Sequence, residues 1–103
     1  MSELITVGKR GELEEGKGRE ISVKGEQIAL FFCNGQYYAI GNVCAHRGGP
    51  LSEGECDKEG HVTCPWHGWT YDLKTGQCIM MPGAKVPHYK VVVDGTDIKV
   101  EVP

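Results

Sequence analysis

Four residues in the middle of the chain have the types and the spacing of metal ligands. Cys44 and His46 form a C-x-H pair, and Cys64 and His67 form a C-x-x-H pair after seventeen intervening residues. Thiolates and imidazoles are soft to intermediate ligands, which suit zinc, copper and iron rather than calcium or magnesium. Each pair supplies one ligand of each type, whereas a zinc finger groups two cysteines on one side and two histidines on the other.

This alternation of ligand types suits two loops that face each other across a centre with two irons. In that arrangement like ligands can pair, so that two cysteines hold one iron and two histidines hold the other. A structural zinc site with four ligands is the alternative that spacing alone leaves open.

The stretches around the four residues resemble the Rieske [2Fe–2S] proteins. The shared motif is C-x-H-x(17)-C-P-x-H-G, with the flanks HRGGPL and HGWTYDLKTG. The resemblance implies one [2Fe–2S] cluster per chain. It also implies that Cys44 and Cys64 bind one iron, and that His46 and His67 bind the outer iron through ring nitrogens.

The resemblance assigns further residues to the surroundings of the cluster. Tyr71 matches a position whose hydroxyl bonds the sulfur of the second-loop cysteine, here Cys64. Pro82 matches the family's proline loop, which covers the cluster from a third side. Trp66 and Trp69 are neighbours of the second-loop ligands, where aromatic rings lower solvent access. Simple packing is the alternative for Trp66, Trp69 and Tyr71, and a plain turn is the alternative for Pro82.

Three positions bear on the reduction potential. High-potential respiratory members carry an extra cysteine in each loop, and a serine two residues after the second histidine. Gly49, Trp66 and Trp69 occupy those positions here. Because a loop disulfide and one hydrogen bond to the cluster are then missing, the resemblance implies a low potential within the range of about −150 to +300 mV found for Rieske centres.

Composition excludes several other classes. The chain has 103 residues and a net charge of −3, which gives neither a nucleic-acid footprint nor a polybasic membrane patch. Its start shows no secretory signal, and no apolar run is long enough to span a bilayer. We therefore expect a soluble, cytoplasmic protein of one domain, with no nucleic-acid or membrane partner.

The elements that position the ligands read as short strands. Asn34-Gly35 and Asp94-Gly95 each stand between strand-like runs and predict hairpins, while HVTCP and TYDL are shorter candidates. The predicted fold is all-β: a Rieske-like antiparallel β-sandwich base domain, residues 1–42 and 88–103, with a small inserted cluster-binding subdomain, residues 43–87.

The other cysteines have no ligand spacing. Cys33 lies in an apolar strand and is interpreted as a small buried hydrophobe. Cys56 and Cys78 are expected to be free thiols, because disulfides are rare in the cytosol. Arg47 follows His46 directly and is either a solvated charge or part of a docking surface.

The function that these features indicate is electron transfer without catalysis. All four ligand positions would be filled, so no iron is open to substrate. The resemblance implies a soluble ferredoxin that carries electrons from a flavin-dependent reductase to a terminal oxygenase. The alternative is the small subunit of an assimilatory nitrite reductase, bound to its large subunit. A redox-sensing or structural module is a third possibility.

Overall fold

The computed structural model of the protein describes residues 3–42, 50–65, 68–79 and 83–102. These ranges contain nine β-strands and one turn of 3-10 helix, Leu51–Glu53, and none of their helices is long and apolar enough to cross a membrane. The strands are β1 (Glu3–Lys9), β2 (Gly18–Val23), β3 (Glu26–Cys33), β4 (Gln36–Gly41), β5 (His61–Thr63), β6 (Thr70–Asp72), β7 (His88–Tyr89), β8 (Val91–Asp94) and β9 (Asp97–Val102).

The strands form three antiparallel sheets. One has the order β1-β9-β8, a second has the order β2-β3-β4-β7, and the third is the β5–β6 hairpin. The all-β prediction is therefore confirmed. The run HYKVVV contributes to two sheets, because β7 pairs with β4 whereas β8 pairs with β9.

The Asn34-Gly35 hairpin is confirmed. Cys33 pairs with Gln36, and both turn residues have positive φ, 54° for Asn34 and 75° for Gly35, as a type I′ turn requires. A further hairpin, not predicted from the sequence, connects β2 to β3 through Lys24 and Gly25 in the same conformation.

The second predicted turn is displaced by one residue. Asp94 pairs with Asp97, so the two loop residues are Gly95 and Thr96 rather than Asp94 and Gly95. The reason is backbone geometry, since Gly95 has φ 64° and stands at the first loop position, where positive φ is needed.

The four-stranded sheet separates two hydrophobic cores. Side chains alternate along a strand, so β3 and β4 each send successive residues to opposite faces. The base core lies between this sheet and the β1-β9-β8 sheet, and its buried members are Val23, Ile28, Leu30, Ala39, Ile98, Val100 and Val102. The distal core lies on the other face, and its buried members are Ala29, Phe31, Cys33, Ile40, Leu51, Val62, Cys64, Tyr71, Leu73, Cys78 and Val86.

Candidate metal centre

Three of the eight residues assigned to the centre fall in the described part of the chain. Cys64, Trp69 and Tyr71 lie on or beside the β5–β6 hairpin. The remaining five predicted residues lie outside the described ranges: Cys44, His46, Trp66, His67 and Pro82.

The stretch CPWHGW connects the two strands of a tight hairpin. The backbone N–H of Cys64 donates to the carbonyl of Trp69 at 2.7 Å, and the N–H of Gly68 donates to the carbonyl of Cys64 at 3.0 Å. Gly68 has φ +79°, a conformation that other residues rarely adopt. These two bonds hold the ends of the loop together, so Cys64 has a fixed backbone position.

Cys64 and Tyr71 are buried in the distal core. Cys64 is 1% exposed, Tyr71 is fully buried, and the half-buried Trp69 packs against the same core. A thiolate in apolar surroundings is costly unless a cation offsets its charge. Cys78 is buried to the same extent in the same core and is a free thiol. The ligand role of Cys64 therefore stays a prediction from the motif.

The chain that surrounds residues 80–82 is held beside β6. Ile79 donates its N–H to the carbonyl of Thr70 at 2.8 Å, and Cys78 donates to the carbonyl of Ala84 at 2.9 Å. Isolated bridges pair Tyr71 with Cys78 and residue 77 with residue 85. The segments before and after the predicted Pro82 position are thus fixed to the hairpin that carries Cys64.

Gly76 allows this packing, and its replacement should be costly. It has φ +77°, and an added Cβ would collide with the carbonyl oxygen of Val86. We expect Gly76→Ala to lower the free energy of unfolding by more than about 2 kcal/mol, measured by urea denaturation. Gly25→Ala is the matched control, because Gly25 has φ +82° but open space around its Cβ position. Equal losses of unfolding free energy in both variants would mean that the positive φ, and not the contact with Val86, causes the loss at Gly76.

Both sides of the first ligand loop meet at Asn42, the last described residue before Cys44. The backbone carbonyl of Asn42 accepts a hydrogen bond from Leu51 N–H at 2.8 Å, and its side-chain Oδ1 accepts one from Ser52 N–H at 2.8 Å. Asn42 is only 2% exposed. No role was predicted for Asn42, although an amide between an apolar strand and a ligand pair was a visible signal.

Cys33 is buried in β3, as expected, but it is not a simple apolar residue, and the expectation of a free thiol at Cys56 is wrong, because the two residues form a disulfide. Their Cα atoms are 6.4 Å apart, within the usual range for such a bond. The reason is a relay of backbone bonds: Gly16 donates to the carbonyl of Phe32 at 2.7 Å, and Cys56 donates to the carbonyl of Gly16 at 3.0 Å. This relay places Cys56 opposite the end of β3. Cys78 is a free thiol, as expected.

The loop that carries Cys56 is shaped by polar groups. Asp57 accepts hydrogen bonds from the backbone N–H groups of Glu59 and His61 at 2.9 and 3.1 Å. These bonds, that of His61 most strongly, hold the pKa of the Asp57 carboxyl below its usual value. Glu55 pairs with Lys17 on the surface, which raises the pKa of Lys17 and lowers that of Glu55. Asp57 orders the turn before β5. The Glu55–Lys17 pair connects the loop to the residue directly before β2.

Comparison with known proteins identifies a family for this arrangement. A family model described as the Rieske [2Fe-2S] domain matches residues 3–90. The 3-phenylpropionate/cinnamic acid dioxygenase ferredoxin subunit of Shigella boydii serotype 4 (strain Sb227) is 34% identical over 93 residues, which are 89% of this chain and 87% of that protein.

Two solved structures are similar over nearly their whole length. The ferredoxin of carbazole 1,9a-dioxygenase from Nocardioides aromaticivorans IC177 superposes with a TM-score of 0.87 at 31% identity, covering 94% of this chain and 95% of that one. A putative NADH-dependent nitrite reductase small subunit from Mycobacterium tuberculosis gives a TM-score of 0.88 at 25% identity, covering 100% and 96%.

Proposed function

The chain belongs to the Rieske [2Fe–2S] domain family, and from that premise we propose that it is a ferredoxin carrying single electrons from a flavin-dependent reductase to a terminal oxygenase. The observation that supports this most directly is the match, over 89% of the chain, to a dioxygenase ferredoxin subunit that is hardly longer than the chain itself. The proposal includes a cytoplasmic location and no catalytic reaction of the protein's own.

The proposed ligands are Cys44 and Cys64 for one iron, and His46 and His67 for the outer iron. What supports this assignment is the motif, together with the fixed backbone position of Cys64 beside the β5–β6 hairpin. When bound, the cluster accepts and releases one electron. Replacing two thiolates by neutral imidazoles removes negative charge, which makes an additional electron less unfavourable than in an all-cysteine cluster.

The surroundings of Cys64 would set the potential within the family's range. Tyr71, fully buried two residues after Trp69, is the proposed hydrogen-bond donor to the Cys64 sulfur. Trp69 stands where high-potential members have a serine, and its indole N–H lies on a larger ring with a different direction and reach. The proposed carrier therefore retains one of two hydrogen bonds that stabilise the reduced state.

We expect the purified protein to contain about two irons and two sulfides per chain and to have a low midpoint potential. Voltammetry should place that potential toward the lower end of the range of about −150 to +300 mV. The potential should be independent of pH near neutrality, because a less electron-withdrawing centre leaves the second histidine nitrogens protonated. A colourless zinc protein, or a potential above about +200 mV, would contradict the proposal.

A second candidate function is the small subunit of a nitrite reductase, favoured by the likeness to the structure from Mycobacterium tuberculosis. The two functions differ in the strength of association with the partner. A carrier makes transient contacts of less than about 1,200 Å², whereas a permanent subunit has a larger and more apolar interface. Gentle purification of the untagged protein from its own cells distinguishes them: a carrier elutes alone, and a subunit elutes with a much larger chain.

A further inference from the structure

Asn42 is a buried polar residue whose place in the chain is unusual. It follows β4 directly and stands two residues before Cys44. Within the described ranges, only Asn42 and Ser52 are polar residues in the buried class, at 2% and 8% exposure. Buried amides are normally fully hydrogen-bonded, and the described partners of Asn42 come from three segments: β2, β3 and the 3-10 turn.

Four hydrogen bonds to residues of the described ranges fix Asn42. Its backbone N–H donates to the carbonyl of Gln27 at 2.9 Å, and its backbone carbonyl accepts from Leu51 N–H at 2.8 Å. In the side chain, Oδ1 accepts from Ser52 N–H at 2.8 Å, and Nδ2 donates to the Glu20 carboxylate. The amide can have only this orientation, because a carboxylate accepts and a backbone N–H donates.

These bonds close a loop. Leu51 and Ser52 return to Asn42 after residues 43–49, which include Cys44 and His46. Two of the four bonds therefore join the start of that segment to its end, one through the backbone and one through the side chain. Glu20, on β2, holds the amide so that Oδ1 faces Ser52. A short segment whose two ends are fixed has few conformations available, which lowers the entropy lost when its ligands bind metal.

We infer that Asn42, oriented by Glu20, is a positioning residue that holds the first ligand loop in its metal-binding geometry. This inference rests on the proposed roles of Cys44 and His46 as cluster ligands. The simpler interpretation is that Asn42 only satisfies buried polar groups and stabilises the fold, without influence on the cluster.

The test exchanges the donor and the acceptor between the two side chains. Asn42→Asp keeps an acceptor for Ser52 N–H but places a second carboxylate against Glu20. Glu20→Gln keeps an acceptor for the Asn42 amide and is the matched control. In the double variant the Gln amide can donate to the Asp carboxylate, so the contact is restored with its direction reversed.

We expect Asn42→Asp to lose its cluster to a chelator about tenfold faster than the wild type, with a change in the g-values of the reduced cluster and in its midpoint potential. Glu20→Gln should differ little, and the double variant should recover most of the wild-type rate and spectrum. Unchanged g-values and potential in Asn42→Asp, or a double variant no better than the single one, would overturn the inference.

Two further measurements distinguish failure of this inference from failure of the proposed function and from a variant that does not fold. The wild type is examined first, because a wild type without a [2Fe–2S] spectrum refutes the proposed function itself. If Asn42→Asp does not fold, Glu20→Ala replaces it, since this variant leaves the amide in place without its orienting partner. The same spectral and rate changes, in smaller degree, support the inference, and a wild-type spectrum and rate contradict it.

Discussion

Cys64→Ala protein should be isolated without a [2Fe–2S] cluster, and its distal core should be loosened. Cys64 is the proposed ligand that lies in the described structure, 1% exposed at the end of β5. Removal of one ligand breaks a site whose metal binding contributes to folding, so stability is lost with the metal. Iron and sulfide analysis, visible absorption and urea unfolding measure the two effects.

Cys78→Ala is the matched control for this experiment. Cys78 is 2% exposed, belongs to the same distal core and takes no part in the disulfide. Its truncation removes a similar volume from the same region, so it should weaken the fold but leave iron and sulfide at the wild-type level. A full cluster in Cys64→Ala, or an equal loss of cluster in both variants, would refute the proposed ligand.

The second large effect should follow from loss of the disulfide between Cys33 and Cys56. The bond closes a chain segment with a sequence separation of 23 and joins the end of β3 to the loop before β5. Loop-closure entropy for this separation predicts a loss of about 3 kcal/mol in the free energy of unfolding when both residues are replaced by Ala. Urea denaturation of the double variant and the wild type, both without reductant, gives this difference.

Thiol counting checks the premise of that prediction. The chain has five cysteines, of which the disulfide uses two, so unfolding in the presence of an alkylating agent should label three; prior reduction should raise this to five. Labelling of all five without reductant would contradict the bond. Labelling of Cys33 and Cys56 only after a chelator is added would instead indicate a metal held by the two thiolates and Glu15, whose ligand atoms all lie within 4.8 Å of one another.

Two features of the environment of the Cys33–Cys56 disulfide hinder attack by thiols. Cys33 is fully buried, so an incoming thiolate has access to one sulfur at most. The Glu15 carboxylate, held by Asn34 N–H and Gly35 N–H at 2.7 and 3.1 Å, lies beside both sulfurs and repels an approaching anion. Access and charge both govern the rate of thiol–disulfide exchange.

The fold was predictable where local patterns determine it. Asn34-Gly35 tolerates positive φ at both positions and so predicts a hairpin, and the structure contains that hairpin. The type and spacing of the motif likewise indicated the family before any coordinates. Such features depend on a few neighbouring residues, and no long-range contact is needed to recognise them.

The features that escaped prediction depend on contacts between distant segments. Cys33 and Cys56 are brought together by Gly16, which donates to the carbonyl of Phe32 and accepts from the N–H of Cys56, and no spacing rule reveals such contacts. The rarity of disulfides in cytosolic proteins therefore led to a wrong expectation, because the bond depends on where the fold places the two cysteines. The partners of Asn42 were equally hidden, because Glu20 and Ser52 lie 22 residues before and 10 residues after it.

The separation of the two hydrophobic cores should give the protein two cooperative units that open with different free energies. The base core, which includes Ile98 and Val100, and the distal core, which includes Cys64 and Tyr71, have no buried residue in common within the described ranges. The four-stranded sheet contributes side chains to both cores. Amide protons of β5 and β6 would therefore exchange through local opening of the distal unit, whereas those of β9 would exchange only through global unfolding. Substitutions in one core should then add to those in the other without coupling, so each half can change its sequence almost independently.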